Sequence, residues 1–318
     1  MMKYLHRPVM LEEVLSFFKP FSGMTFLDGT IGEGGHSEAI VEKIIPGGTL
    51  IGIDRDSSNL ARASERLKSY ASMVKLFQGS YGSMKDFLKS AGLKGFDGIL
   101  LDLGFSTRHI FDAGRGFSFM KDEPVDMRYD SSAGVPAHRW LAEAPEDEIA
   151  GVIREFGEER DARRIAKRIK KSLEEESSPI TGLRLAKIVS SAKRTKTSKN
   201  PATKTFQAIR IFINRELEEL EKGLNAGLHL LVEGGRFGVI TYHSTEDRIV
   251  KKKFREYERR CTCPTDFPVC ICNESEKTPL VSVWKGSGSS PSSEEISSNP
   301  SARSARLRGC EIRKAFLE

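Results

Sequence analysis

Asp28-Gly-Thr-Ile-Gly-Glu-Gly-Gly-His-Ser37 decides the fold of this chain. An apolar run, Met24 to Leu27, leads into it, and a second strand-like run, Thr49 to Ile53, follows and ends at Asp54. A strand, a glycine-rich turn, a helix and a second strand ending in an acid form half of a nucleotide-binding fold. The glycines let backbone approach a ligand where a Cβ would clash. Asp54 is placed to accept hydrogen bonds from two ribose hydroxyls, so a ribose-bearing ligand is the first expectation. A dinucleotide site wants G-x-G-x-x-G, with the helix N-terminus on a pyrophosphate. Here the glycines are Gly29, Gly32, Gly34 and Gly35, and that spacing is not met.

Working outward, the first third alternates strand and helix signals. Strands are expected at Thr25–Asp28, Thr49–Asp54, Val74–Gln78 and Phe96–Leu103, with helices near Ser37–Ile45, Ser57–Tyr70 and Ser83–Ala91. This rhythm implies a mainly parallel sheet. Ligands in such sheets sit outside the carboxyl ends of the strands, where Asp28, Asp54 and Asp102 would all lie. One acid alone reads as readily as a helix cap; three at one sheet edge read as a site. After Phe105 the rhythm gives way to a loop, Arg115–Arg128, and then to helical patterns at Glu146–Glu155, Asp161–Leu173 and Gly182–Ser191. One long helix is expected from Thr205 through Leu224. Strand signals resume at Gly235–Ser244, Pro279–Trp284 and Arg306–Lys314, and Ser292-Ser-Glu-Glu295 is a capping-box pattern. The expected organisation is therefore one α/β domain, residues 1–105 and 216–318, carrying an inserted all-helical domain, residues 106–215.

The chain has 318 residues, 38% of them hydrophobic and 30% charged, as in a soluble globular protein. No apolar run approaches a membrane span. Glu12 and Glu13 stand where a secretory signal would need an apolar core, so the cytoplasm is expected. Net charge is +6, and Ser177 to Arg215 contains no Asp or Glu. A one-sign segment suits a phosphate backbone, although a solvated basic loop is the blander account. Cys261-Thr-Cys263 and Cys270-Ile-Cys272 form a C-x-C…C-x-C cluster whose four thiolates could hold a structural zinc; reduced free thiols and redox-labile pairs are the alternatives.

The D-x-T-x-G-x-G pattern resembles the first motif of S-adenosylmethionine-dependent methyltransferases. With seven further blocks it resembles the RsmH (MraW) family over nearly the whole chain. Those blocks are His6–Val14, Ile53–Asp56, Leu101–Gly104, Arg115–Arg128, Asn200–Arg210 with Tyr242–Lys251, and Asn299–Arg308. The resemblance implies a class I methyltransferase (Rossmann-like) sheet with an inserted helical domain for RNA recognition. It implies methylation of the N4 amine of one cytosine, position 1402, in 16S ribosomal RNA of the small subunit, with S-adenosylmethionine as cofactor. No membrane and no obligate protein partner are implied. By position, Gly34, Gly35, His36, Asp54, Tyr81, Asp102 and His109 match the family's cofactor contacts. Tyr81 stands where the family usually has Phe, and His109 replaces a Gln. Tyr242-His-Ser-Thr-Glu-Asp247 replaces the family's usual Phe-His-Ser-Leu-Glu-Asp.

Methyl transfer from a sulfonium is an in-line displacement, so alignment dominates. The cytosine amine is a poor nucleophile, and an acceptor on its N–H would help free the lone pair. The Pro-Pro motif of many amino-group methyltransferases is absent. The Asp102–Ser106 turn must then serve, or residues at the end of the next strand: His243 and Ser244 facing the base, with Asp247 nearby. Phosphate contacts are expected from Ser177–Arg215 and from Arg303, Arg306 and Arg308. The rival functions are a nicotinamide-dependent oxidoreductase on the same half-fold and a non-catalytic RNA-binding factor.

Overall fold

A computed structural model describes residues 8–176, 178–194, 200–258 and 279–314. The chain divides into two compact units, Met1–Gly104 with Glu218–Glu318, and Phe105–Leu217.

The first unit is built on β1 (Thr25–Asp28), β2 (Thr49–Asp54), β3 (Val74–Gln78), β4 (Phe96–Asp102), β5 (Leu231–Thr241), β6 (Val281–Val283) and β7 (Arg306–Ile312). They form one sheet in the order β3-β2-β1-β4-β5-β7-β6. β1 to β5 pair in parallel, and β7 runs antiparallel to both β5 and β6. The sequential order reverses between β1 and β4, which makes their carboxyl ends the topological switch point where α/β sheets take ligands. This is the class I methyltransferase sheet, a doubly wound core with a reversed last strand.

Its continuous apolar strands are explained by two covered faces. Side chains alternate along each strand. Phe26, Leu50, Leu100 and Ile240 pack with Phe17 and Phe18 of α1 (Leu11–Phe18) and Ile40 and Ile44 of α2 (Gly35–Ile44). Leu27, Ile51, Leu101 and Val239 pack with Leu220, Leu224 and Leu228, on the opposite face. α3 (Ser57–Arg66) starts where Asp56 Oδ1 accepts from Ser58 N at 2.8 Å, and α4 (Met84–Ser90) precedes β4.

The second unit holds α5 (Thr107–Phe111), α6 (Ala137–Glu143), α7 (Glu146–Gly157), α8 (Ala162–Glu175), α9 (Gly182–Ala192) and α10 (Thr203–Asn214). Ile149, Ile153, Ile165, Ile169, Leu185, Val189, Phe206 and Ile209 form its core. Their spacing of three and four places them on one face of each helix. The Arg115–Arg128 loop is held by its own charged residues. Arg115 donates to the Arg128 and Tyr129 carbonyls at 3.0 Å each, and Arg128 pairs with Asp126 at 2.7 Å. Gly116 has φ +67° and a Cβ there would lie 2.2 Å from Asp126 N, so no other residue fits.

The expected single helix from Thr205 to Leu224 is two. α10 ends at Asn214, Arg215 is left-handed with φ 52°, and α11 (Glu216–Leu230) begins immediately after. The cause is a set of side-chain bonds that a continuous helix would not make. Asn214 Nδ2 donates to the Met127 carbonyl at 2.7 Å, and its Oδ1 accepts from Tyr129 N at 2.8 Å. Arg210 grips Glu216 with two bonds of 2.8 and 2.9 Å, both side chains being about nine-tenths buried. Asn214 is buried, so Asn214→Ala would leave the Tyr129 amide and the Met127 carbonyl without these bonds. The expected cost is roughly 1–3 kcal/mol. Urea unfolding, with faster hydrogen exchange at the Tyr129 amide, measures it; an unchanged midpoint would show that Asn214 does not hold the break.

Candidate cofactor and catalytic site

The glycine loop is tied to three strands of the first unit. Gly29 N donates to the Leu100 carbonyl and Ile31 N to the Ile53 carbonyl, each at 2.9 Å. Thr30 takes part twice: its amide donates to Asp28 Oδ1 at 3.2 Å, and its hydroxyl accepts from Asp102 N at 2.6 Å. Gly32 N donates to Asp54 Oδ2 at 2.9 Å. Gly34 caps α2 at φ 81°, a conformation that glycine adopts without strain. At Gly35 a Cβ would stand 2.7 Å from the Pro8 ring, which accounts for the second glycine of the pair.

Asp54 ends β2, its second oxygen accepting from Asp56 N at 2.8 Å, so the carboxylate is fixed between loop and strand end. Tyr81 opens a short 3-10 turn after β3. Its ring lies against α11 at Gly223, where a Cβ would be 2.5 Å from the ring. Asp28, Asp54 and Asp102 thus stand at the carboxyl ends of β1, β2 and β4, three adjacent strands.

Electrostatics separate these acids. Asp28 is 1% exposed. Burial pushes its carboxyl up to about 6, against the opposing pull of His36 and of the Ser37 hydroxyl, which donates to it at 2.7 Å. His36 is buried too, and burial holds it below the ordinary imidazole value despite Asp28. Its Nε2 lies 2.8 Å from the Val9 carbonyl, which can only accept, so the neutral ring carries its proton on Nε2. The unprotonated Nδ1 then stands 3.7 Å from Asp102 Oδ2. Asp102 Oδ1 accepts from the Tyr242 hydroxyl at 2.8 Å. Burial, and next the Asp102 charge, hold that phenol well above its ordinary value, so it stays a donor. Where the resembled family usually has Phe, this chain therefore adds a hydrogen bond to Asp102.

At the end of β5, α12 (Ser244–Glu258) begins. Glu246 is 2% exposed, and its Oε2 accepts from Tyr242 N at 2.9 Å and His243 N at 3.3 Å. His243 Nδ1 accepts from Glu246 N at 3.4 Å, and His243 Nε2 lies 2.9 Å from Glu246 Oε1. This is a reciprocal capping box with histidine in the place of Ser or Thr. Both ring nitrogens of His243 are turned to Glu246, while Ser244 is exposed. Asp247 is gripped by Arg308 through two bonds of 2.8 and 2.9 Å. Partial burial raises the Asp247 carboxyl, but Arg308 outweighs it and holds the group below its usual range. Arg308, expected among the phosphate contacts, is thus committed to Asp247.

His109 lies in the second unit, where its ring stacks on Phe117 at 4.8 Å and stands 5.4 Å from Tyr129. Cys261, Cys263, Cys270 and Cys272 lie outside the described residues. Cys310 is a buried thiol of β7. Sequence reasoning missed Thr30, Tyr242 and Glu246 as organisers of the site. Glu246 carried a local signal, being three residues after His243 at a helix start, and Thr30 is the threonine of the D-x-T-x-G-x-G pattern.

The raised Asp28 carboxyl makes stability depend on pH. A carboxyl raised from 3.8 to about 6 contributes stability that is full below about pH 4 and is lost as pH rises through about 6. Asp28→Asn lacks this contribution. The variant should therefore gain on the wild type between about pH 4 and 6 and hold a constant difference above pH 7. Urea midpoints across that range check it; a constant offset throughout would mean that Asp28 titrates normally.

The sequence profile of the MraW methylase family matches residues 3–313. Ribosomal RNA small subunit methyltransferase H of Trichlorobacter lovleyi is 47% identical over 315 residues, which cover 98% of this chain and 99% of that protein. The proteins of the same name from Pelobacter propionicus and Geotalea uraniireducens are each 44% identical, covering 97% and 98% of this chain and 98% and 99% of their own. Neither the oxidoreductase nor the non-catalytic reading finds support in these likenesses. Matched from end to end by the profile and by full-length relatives, the chain belongs to the MraW methylase family.

Proposed function

We propose that this protein transfers a methyl group from S-adenosylmethionine to the N4 amine of a cytosine in the small-subunit ribosomal RNA. The observation that carries the reading is Asp102, a carboxylate at the sheet's switch point, aimed by Tyr242 and tied through its amide to the glycine loop. The donor set suits S-adenosylmethionine: a left-handed glycine turn for close approach and a fixed acid, Asp54, for the ribose. S-adenosylmethionine supplies an electrophilic methyl on its sulfonium. Gly34, Gly35, Asp54, Tyr81 and Asp102 would hold it, with Tyr81 against the adenine. His36 lies beside Asp102, with its Nδ1 3.7 Å from Asp102 Oδ2.

Asp102 accepts the amine N–H as the new bond forms and the lone pair leaves conjugation. His243 and Glu246 fix the start of α12, Ser244 faces the target base, and Asp247 with Arg308 locks β7 to it. Methyl incorporation from labelled S-adenosylmethionine into undermethylated small subunits, followed by nucleoside analysis, tests the function; N4-methylcytidine is the expected product. At saturating S-adenosylmethionine, Asp102→Asn should lower kcat by roughly 10²–10⁴, and His243→Ala should keep most of the rate. The reverse ranking would move the proton acceptor to the end of β5.

RNA affinity is assigned to the helical unit. Arg163, Lys167, Lys171, Lys187 and Lys204 are exposed there. If they meet phosphates, the apparent affinity for RNA should fall steeply, by an order of magnitude or more, between about 50 and 200 mM salt. A flat response in a filter-binding titration would remove them from the interface. Cytoplasmic location follows from this substrate, and among the described residues no helix is long and apolar enough to cross a membrane. The zinc reading rests on the spacing of Cys261, Cys263, Cys270 and Cys272, and metal analysis of protein purified without chelator tests it.

A further inference from the structure

We propose that the groove between the Phe119-Met120 turn and α9 receives an unpaired base of the RNA substrate together with its adjoining phosphate. This rests on the RNA reading above and gives it a place. The groove lies wholly within the helical unit and has a volume of about 670 Å³, the size of a small-ligand site. Its apolar part is Phe119, Met120 and Leu183; its polar part is Lys187, Ser191 and Asn200. Among the described residues that line it, none is acidic.

Three features favour a base over other occupants. Met120 is 76% exposed, a large apolar side chain left in water beside an aromatic ring. That ring, Phe119, is held edge-on by Phe206 with centroids 5.8 Å apart, so a stacking surface is already ordered. Unpaired bases in RNA loops are bound by stacking on such side chains, with cations on the backbone alongside. Lys187 supplies the cation and makes no ion pair among the described residues. The rim adds a second, because Arg168 Nη1 donates to the Ser191 hydroxyl at 2.7 Å. An acidic peptide would use the same charges, but it gives no reason for Met120 to stay uncovered.

Lys187→Glu and Met120→Ser both alter exposed positions outside the core, so the fold should survive them. With undermethylated small subunits as substrate, each variant should raise KM for RNA by about tenfold while kcat and cofactor affinity hold. A ribosomal RNA fragment carrying 4-thiouridine should photocrosslink to the peptide that contains Met120. Wild-type KM in both variants, with no crosslink, would overturn the proposal. So would a raised KM in Lys187→Glu alone, which would leave a phosphate contact without a base site. Loss of acidic-peptide binding with KM for RNA unmoved would reassign the groove to a protein. If the wild type itself methylates no RNA, the functional reading fails first, and that result is separable from all of these.

Discussion

Thr30 and Gly32 hold the first unit's ligand edge together, since through them one loop is bonded to the ends of three parallel strands. Thr30 bridges the Asp28 side chain and the Asp102 amide, and Gly32 reaches Asp54. The loop's own amides extend the sheet through Leu100 and Ile53. Backbone groups at strand ends lack ladder partners and need others when buried. Here the partners are the very residues that carry the acids, so the loop cannot shift without freeing polar groups. Placement of Asp54 and Asp102 is a consequence of how the loop satisfies its hydrogen bonds.

Three carboxyl groups on one sheet edge repel each other, and burial adds to the cost. The first unit resolves this by treating the acids unequally. Asp28, fully enclosed, is given Ser37 and Thr30 as donors and holds its proton up to about pH 6. Asp102 receives a neutral phenol on one oxygen and a neutral imidazole beside the other. A protonated His36 would add a charge to a sealed pocket, and burial suppresses it. The charge that remains is therefore concentrated where a polar ligand can meet it.

Much of this was legible in the sequence. Apolar runs bounded by Gly and Asp marked β1 to β4 with ends correct to one residue, because buried parallel strands must be continuously apolar. What was not legible depends on partners far along the chain. The break at Arg215 is set by Asn214 meeting Met127 and Tyr129, more than eighty positions away, while the apolar spacing runs through it undisturbed. Tyr242 looked like a neutral exchange for Phe until Asp102, 140 residues earlier, came within 2.8 Å. His243 read as chemistry because it stands at the carboxyl end of a strand beside the switch point, yet its ring atoms face Glu246. The eight-residue run Leu11 to Phe18 carried acids in its first turn and apolar residues at Val14, Phe17 and Phe18, a helix signature that the stronger glycine motif overshadowed.

The acid-free stretch from Ser177 to Arg215 shows why a charge run overstates a binding surface. Its carboxylate partners lie elsewhere in the sequence. Lys193 meets Glu159 at 2.7 Å with both side chains nearly buried, and Arg210 meets Glu216. Arg184 binds Glu176 and the Ser172 hydroxyl. These cations would be costly to bury alone, and folding pairs them. They organise α8, α9 and α10 rather than attract phosphate. The outward charge comes as much from α8, whose apolar face at Ile165 and Ile169 turns Arg163, Lys167 and Lys171 toward water. Helical periodicity, which separates the buried from the exposed cations, is therefore a better guide to a polyanion surface than the absence of acids along the chain.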